Sequence, residues 1–179
     1  MGAPVRMLAL AAGVLMVGAL VGCVPGDPQP TRSPTASHTP LFASDEAALK
    51  AATGAYAAYL KMSDTILQAG GQDPERMSQV ATGSALKTEL SGFETARSRS
   101  WRQKGNTRFS NIQLQSVSAH SITVYVCVDV SHVDVVDSGG KSVVSESRPA
   151  RSAAVIGMVA DSHSLQVATN EPWNGDGVC

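Results

Sequence analysis

The hydrophobic positions of the first half of the chain recur with the period of a helix. Beyond Ser44 they follow one another at steps of three and four residues, which places them on one face of an α-helix. Ser44, Asp45 and Glu46 form a helix start, since a hydroxyl caps free N–H groups and acids suit the positive helix end. Gly70-Gly71 predicts its end. The apolar stripe contains Leu49, Ala52, Tyr56, Tyr59, Leu60, Ile66 and Leu67.

Two more helices are predicted before residue 100. Asp73-Pro74-Glu75 combines a cap, a first-turn proline and a first-turn acid, so a second helix is expected to begin there. Gly83 separates it from a third helix over residues 84–99. The inward face of the third helix is predicted to carry Leu86, Leu90 and Phe93.

Further along the chain the hydrophobic period changes to two, which is typical of strands. A strand is predicted near 111–115, followed by one long strand over 121–136. The alternation of the long strand changes parity near its end, which predicts a β-bulge between Ser131 and Val133. The remaining strands are predicted over 142–147, 153–160 and 165–170.

This order of elements predicts an α+β fold in which N-terminal helices pack on a bent antiparallel sheet of four to five strands. Over residues 44–172 the layout resembles the nuclear-transport-factor-2-like (cystatin-like) cone fold. The resemblance implies a pocket between helix and sheet. Members of this family include dehydratases and isomerases as well as non-catalytic binding modules, so the fold alone does not determine the function.

The start of the chain has the pattern of an export signal. Arg6 precedes an uncharged apolar run over residues 7–20. A helix of this length is too short for the hydrocarbon core of about 30 Å, because each residue adds only about 1.5 Å. The pattern is therefore typical of a signal peptide, predicted over residues 1–22.

The apolar run leads into Leu20-Val21-Gly22-Cys23, which resembles the lipobox of bacterial lipoproteins, as in actinobacteria. The resemblance implies cleavage before Cys23 and attachment of a diacylglyceryl group, with acyl chains such as palmitate, to its thiol. Two acyl chains hold a protein stably at a membrane. The expected location is therefore the extracytoplasmic face of the cell membrane, as a lipid-anchored protein.

The segment 23–43 has the composition of a tether. It holds five of the nine prolines of the chain, interspersed with serine and threonine. Such a segment buries too little apolar area to form a core, and repeated proline favours an extended backbone. We expect a spacer that separates the lipid anchor from one domain over residues 44–179, a length typical of single domains.

The cysteine count predicts a disulfide. The chain has three cysteines, an odd number that would leave one thiol unpaired in an exported protein. If Cys23 carries lipid, Cys127 and Cys179 remain, and an oxidising compartment favours their pairing.

Composition excludes some classes of function. Hydrophobic residues make up 43% of the chain and charged residues 16%, a balance that can bury a core. The formal net charge of −1 argues against a nucleic-acid-binding protein. Nucleotide-binding and nucleophile-elbow motifs are not found, and no cofactor is predicted.

His132 and Asp134 are the weak candidates for catalysis. They lie two apart on a predicted strand, so both side chains would share a face and could act as base and orienting group. Their position at the hairpin end of the strand equally suits solvated residues. His120 and His163 fall in predicted turns without a second ligand at metal spacing, so no metal site is predicted.

A cluster of cationic residues stands out between residues 97 and 108, where no acid occurs. Such a patch could contact an anionic surface, such as lipid headgroups, or an envelope protein. The alternative is a solvated loop whose arginines pair with acids of the second half. The candidate patch, called the basic cluster below, consists of Arg97, Arg99, Trp101, Arg102, Lys104 and Arg108.

The sequence thus predicts a non-catalytic envelope lipoprotein that binds a partner or a small ligand. The alternative is a pocket enzyme with acid–base chemistry of the dehydratase or isomerase kind, using His132 and Asp134. A purely structural or accessory subunit of an envelope complex is a third hypothesis.

Overall fold

The computed structural model describes residues 41–161 and 164–179. The predicted signal peptide, the lipobox with Cys23, most of the tether and His163 lie outside the described residues. Helix α1, Asp45–Gln68, begins at the predicted cap, where the Ser44 hydroxyl accepts a hydrogen bond from the Ala47 N–H at 3.2 Å. No helix within the described ranges is both long enough and apolar enough to span a membrane.

The end of α1 depends on two glycines with left-handed backbone angles, as predicted. Gly70 and Gly71 have φ of 75° and 80°. A Cβ atom on Gly71 would lie 2.2 Å from the carbonyl oxygen of Phe93 in the next helix, so only glycine allows this close approach.

The segment after α1 differs from its prediction. Pro74–Gln79 forms a 3₁₀ helix instead of a longer helix. Asp73 does not cap it, because its left-handed backbone (φ 52°) is not the extended conformation that places a capping side chain on the first N–H groups.

Helix α2, Gly83–Ser98, confirms the third predicted helix. Phe93 is buried within the core, as predicted. Leu90 was expected on the inward face but is 37% exposed, so that assignment is wrong. The neighbouring Glu89 is partly buried instead, because Tyr59 and Ser63 of α1 donate hydrogen bonds to its carboxylate.

In the described part of the chain, six strands form two antiparallel sheets. The strands are β1 Arg102–Lys104, β2 Arg108–Val117, β3 Ser121–Asp129, β4 Asp134–Val136, β5 Arg151–Ala160 and β6 Leu165–Pro172. The larger sheet has the order β2-β3-β5-β6, and the smaller pairs β1 with β4. The α+β class and the helices packed on an antiparallel sheet of four strands are thereby confirmed.

The long strand predicted over 121–136 is two strands in different sheets. Strand β3 ends at Asp129, and a turn closes with a hydrogen bond of 3.0 Å from the Val133 N–H to the Val130 oxygen. Strand β4 then pairs with β1, with Val135 opposite Gln103. The prediction of a bulge between Ser131 and Val133 is wrong. The apolar alternation changes parity there because one strand ends and another begins, which has the same effect on the pattern as an inserted residue.

Bulges occur instead in β2. Its pairing with β3 shifts between Ser110 and Gln113, and Asn111 in between has a φ of 52°. The strand predicted over 142–147 is also absent, since this segment contributes only an isolated bridge between Val136 and Ser142.

The core lies between α1, α2 and one face of the larger sheet. Ile122, Val124 and Val126 of β3 are fully buried and form the sheet side of this core. From the helices come fully or almost fully buried side chains, including Ala48, Ala52, Tyr56, Tyr59, Ile66, Ala85 and Phe93.

The C-terminal residues cover the opposite face of the sheet. The predicted disulfide between Cys127 and Cys179 is present, with Cα atoms 5.0 Å apart. The Asn111 amide donates to the Val178 carbonyl at 2.7 Å, and the ring of Trp173 lies 4.6 Å from that of Tyr125. The disulfide and these contacts fasten the end of the chain to β2 and β3.

Candidate functional site

A polar cavity of about 440 Å³ lies between the two helices and the larger sheet. Both sheets contribute to its wall, since Gln103 belongs to β1 while Val128, Ala154 and Asn170 belong to β3, β5 and β6. We call it the helix–sheet cavity. Its polar lining consists of Tyr56, Tyr59, Ser63, Asp64, Glu89, Gln103, Thr107, Ser152 and Asn170.

Glu89 of α2 is held in the cavity by two hydroxyl groups of α1. Tyr59 donates to one carboxylate oxygen at 2.6 Å, and Ser63 donates to the other at 2.7 Å. The donors are four residues apart and therefore project from adjacent turns of one helix face. The two helices are thus joined by hydrogen bonds to a charged group, which are stronger than neutral ones.

Tyr56 contributes to the wall of the same cavity and has a buried hydroxyl group without a hydrogen-bond partner among the described residues. The residue is fully buried, and its Oη finds no partner among the residues the structure describes. The amide of Asn170 is close to both tyrosines, but its hydrogen bond of 3.4 Å goes to Tyr59. A buried hydroxyl without a partner is costly, so this oxygen is a place where a ligand atom would be stabilised.

Both tyrosines remain protonated at unusually high pH. Burial is the largest cause that raises the pKa of Tyr56 and of Tyr59 above its ordinary value, and the negative charge of Glu89 adds to it. The Asn170 amide opposes the shift in both groups. At physiological pH the cavity therefore presents neutral phenol groups beside a carboxylate.

Asp64 is the second carboxylate of the lining, and its hydrogen bonds are made within the protein. Its oxygens accept from Gln103 Nε2 at 2.6 Å and from the backbone N–H and the hydroxyl of Thr107, both at 2.9 Å. Asp64 is only 6% exposed. These bonds fasten the connection between β1 and β2 to α1, so Asp64 shapes the cavity wall.

A second cavity, of about 590 Å³, adjoins the first along α1. Leu60, Asp64 and Thr107 contribute to both cavities. The second one also carries Lys61 and Arg108, so its lining has mixed charge.

The catalytic candidates do not meet in the helix–sheet cavity. His132 is exposed in the turn after β3, whereas Asp134 begins β4, so they do not share a strand face. The Asp134 carboxylate accepts from the Ser142 hydroxyl at 2.6 Å and from the Val135 N–H at 2.8 Å. Neither residue lines the cavity, and the geometry therefore offers no support for acid–base catalysis by this pair.

The nearby carboxylate of Asp129 is also part of the turn. Hydrogen bonds from Ser131 are the main cause that lowers the pKa of Asp129, and the positive charge of Arg151 contributes. The Arg151 Nε lies 3.9 Å from the Asp129 carboxylate. Asp129 thus stabilises the end of β3 and does not face the cavity.

The structure distributes the basic cluster over α2, β1 and the start of β2. The Arg99 guanidinium lies 4.9 Å from the centre of the Trp101 ring, and Arg102 donates to the Gln68 carbonyl at the end of α1 at 3.3 Å. Arg97 and Lys104 are exposed, and Arg108 lines the second cavity. Within residues 41–161 and 164–179 no salt bridge involves a member of the cluster, so the expected pairing with acids is not found there.

Trp101 also borders an apolar groove of about 500 Å³ beside α2. The groove is lined on the other side by Val135, Val143 and Val144.

His120 is exposed in the turn before β3. In the described part of the chain no three potential metal ligands of the histidine, cysteine or acid type come together.

The resemblance to the cone fold implied a pocket between helix and sheet, but the tyrosines were assigned to the core and none of the residues that line the cavity was predicted. One signal was available: Ser63 lies in phase with Ala52, Tyr56, Tyr59 and Ile66, so a polar residue interrupts the apolar stripe. Asn170 gave no comparable signal, because it reaches Tyr59 from a strand 111 residues further along the chain.

No protein-family model matches the chain, and no curated protein has a significantly similar sequence.

Proposed function

We propose that this protein is a lipid-anchored envelope lipoprotein whose α+β domain is a non-catalytic module that binds a small ligand in the helix–sheet cavity. The observation that carries the binding function is the buried hydroxyl of Tyr56, which has no hydrogen-bond partner among the described residues and lines a polar cavity. Ligand sites are typically concave, with a few polar groups that fix the orientation of the ligand.

A non-catalytic role is favoured by the chemistry of the lining. The described residues that line the cavity include no histidine, cysteine or lysine. The two carboxylates already accept hydrogen bonds from neighbouring side chains, and the raised pKa values of the two tyrosine hydroxyls keep them protonated at neutral pH, where they cannot accept a proton. The cavity is better suited to hold a molecule than to move its protons.

The membrane part of the proposal is supported by the lipobox resemblance at Leu20-Val21-Gly22-Cys23 and by the signal-peptide pattern before it. The cone-like layout is likewise supported by the order of elements, with helices first and an antiparallel sheet after them. The basic cluster is proposed to contact an anionic surface, because its cations have no acidic partner in the described ranges.

Binding is tested by protein-observed NMR of the purified protein against a mixed library of cationic, neutral and anionic fragments. We expect chemical-shift changes confined to the cavity, including the side-chain amides of Asn170 and Gln103. A library that leaves these signals unchanged would contradict the binding function.

Lipid anchoring is tested by expressing the full chain in a bacterium and partitioning it between detergent and aqueous phases. Cys23→Ser should move the protein to the aqueous phase, because acylation requires the thiol. Cys179→Ser, which leaves Cys23 intact, is the matched control and should stay in the detergent phase. A wild-type protein found in the aqueous phase would contradict the anchor.

A further inference from the structure

The charge of the helix–sheet cavity restricts the ligand that it can hold. Among the residues that the structure describes, its lining includes the carboxylates of Asp64 and Glu89 and no lysine, arginine or histidine. Electrostatic interactions are stronger in such a partly desolvated space than in water. An anionic ligand would be repelled by two like charges, whereas a cation would be attracted.

The two carboxylates differ in the number of further hydrogen bonds that they can accept from a ligand. Asp64 accepts three hydrogen bonds from Gln103 and Thr107. Glu89 accepts one on each oxygen, and a carboxylate oxygen can accept two. Of the residues that the structure describes, no cation forms a salt bridge with Glu89. Glu89 is therefore the carboxylate that can receive donors from a ligand.

Tyr56 supplies the second, independent indication of a ligand. Its hydroxyl is completely buried, has no hydrogen bond to a described residue, and is close enough to Glu89 for the carboxylate to act on it electrostatically. The Tyr56 ring stacks on the Tyr59 ring with their centres 5.8 Å apart, and both side chains are almost fully buried.

From this arrangement we infer that the ligand of the cavity is a small organic cation with a primary ammonium group, whose N–H bonds are accepted by the Glu89 carboxylate and the Tyr56 Oη. This inference rests on the proposed binding function and adds the chemical class of the ligand. The ammonium group would give Glu89 a counter-charge and the Tyr56 oxygen a hydrogen-bond donor.

The test uses three probes of similar size and different charge: benzylamine, benzyl alcohol and benzoate. Each is titrated into the purified protein at pH 7, with the Asn170 and Gln103 side-chain amides as reporters in protein-observed NMR. Benzylamine is expected to bind about tenfold or more tightly than benzyl alcohol, because hydrogen bonds between charged groups are the stronger ones. Benzoate is expected not to bind.

Substitutions locate the effect at Glu89. Glu89→Gln keeps the shape and removes the charge, so the preference for benzylamine over benzyl alcohol should disappear. Glu94→Gln is the matched control, since it makes the same change of charge at an exposed position of the same helix and should retain the preference. Tyr56→Phe should weaken benzylamine binding several-fold while the amide spectrum shows a folded protein.

The outcomes separate this inference from the proposed function. Equal or tighter binding of benzyl alcohol or benzoate in the cavity would overturn the cationic class and leave the binding function standing. Benzylamine binding that is unchanged by Glu89→Gln would overturn it as well. A failure of all three probes would overturn the cationic class, and the binding function would fail with it only if the mixed library also left the cavity signals unchanged.

Discussion

The carboxylate of Asp64 in the last turns of α1 holds Thr107 by both its main chain and its side chain. One oxygen accepts the backbone N–H of Thr107 at 2.9 Å, and the other accepts its hydroxyl, also at 2.9 Å. Asp64 is almost fully buried, so the contact takes the place of hydration that the carboxylate loses on folding. It also fixes the wall shared by the two cavities along α1.

Replacing Asp64 with alanine should destabilise the protein. Gln103 and the Thr107 N–H would lose their buried acceptor, which predicts a loss of about 2–4 kcal/mol in the free energy of unfolding. Urea unfolding followed by circular dichroism measures this loss. Glu94→Ala, at an exposed position of α2, is the control and should change stability by less than about 0.5 kcal/mol. Equal stabilities of the two variants would contradict a supporting role for Asp64.

Substitution of two glycines, one within α1 and one just after it, should change the stability of the protein in opposite directions. Gly54 is exposed within the helix and has no atom near the position of an added Cβ, so Gly54→Ala should stabilise the protein by about 0.5–1 kcal/mol. At Gly71 the φ of 80° and the Phe93 oxygen both oppose a side chain. Gly71→Ala should therefore destabilise the protein, and melting temperatures that shift in the same direction would refute this account.

The disulfide should contribute substantially to stability. Cys127 and Cys179 are 52 residues apart in sequence, and a loop of this size predicts about 4 kcal/mol from the restricted unfolded chain. Replacing both cysteines with alanine should lower the urea midpoint, and reductant should lower the midpoint of the wild type alone. A wild-type midpoint that is insensitive to reductant, with the disulfide shown to be reduced, would contradict the prediction.

The buried tyrosines predict a loss of stability at alkaline pH. The folded protein raises the pKa of Tyr56 and Tyr59 above the ordinary value of 10.0, which applies in the unfolded chain. Above pH 10 the unfolded state therefore loses protons that the folded state keeps, so stability is complete below pH 10 and falls as the pH rises.

Urea unfolding at several pH values between 9 and 11.5 measures this decline. The double variant Tyr56→Phe/Tyr59→Phe should show a shallower decline than the wild type, because neither phenylalanine titrates. Identical slopes for the wild type and the double variant would rule out the buried tyrosines as the cause.

The basic cluster predicts a salt-dependent attraction to anionic membranes. Arg99→Ala/Arg102→Ala should weaken cosedimentation of the protein with vesicles that contain phosphatidylglycerol, since each lost cation removes about 1 kcal/mol of attraction near such a surface. Lys50→Ala/Lys87→Ala removes the same charge from exposed positions on the helices and is the control. Equal losses in both variants would assign the attraction to net charge and remove the cluster from consideration.

Local sequence signals predicted α1, α2 and the last two strands of the sheet correctly. A capping serine, a pair of glycines and a period of three to four residues act within one helix and need no distant partner. The disulfide could also be predicted, because the cysteine count and the expected compartment leave one pair.

The errors in the predicted sheet arose because strand pairing depends on residues that are distant in sequence. Strand β4 is separate from β3 because the chain turns at residues 130–133 and finds a partner in β1, three residues long. A strand that short has no periodic pattern of its own. Its existence is decided by the tertiary contact, in which Gln103 reaches the buried carboxylate of Asp64.

By itself, the sequence determined the fold class, the main helices and the identity of the bridged cysteines, since each follows from short-range periodicity or from counting. Which side chains line the helix–sheet cavity was decided by the tertiary structure alone. Tyr59 meets Glu89 across 30 residues and Asn170 across 111 residues, so its chemistry depends on which distant side chains are packed together. A stripe of apolar and aromatic residues has the same sequence pattern whether the elements that face it fill the space beside it or leave a cavity there.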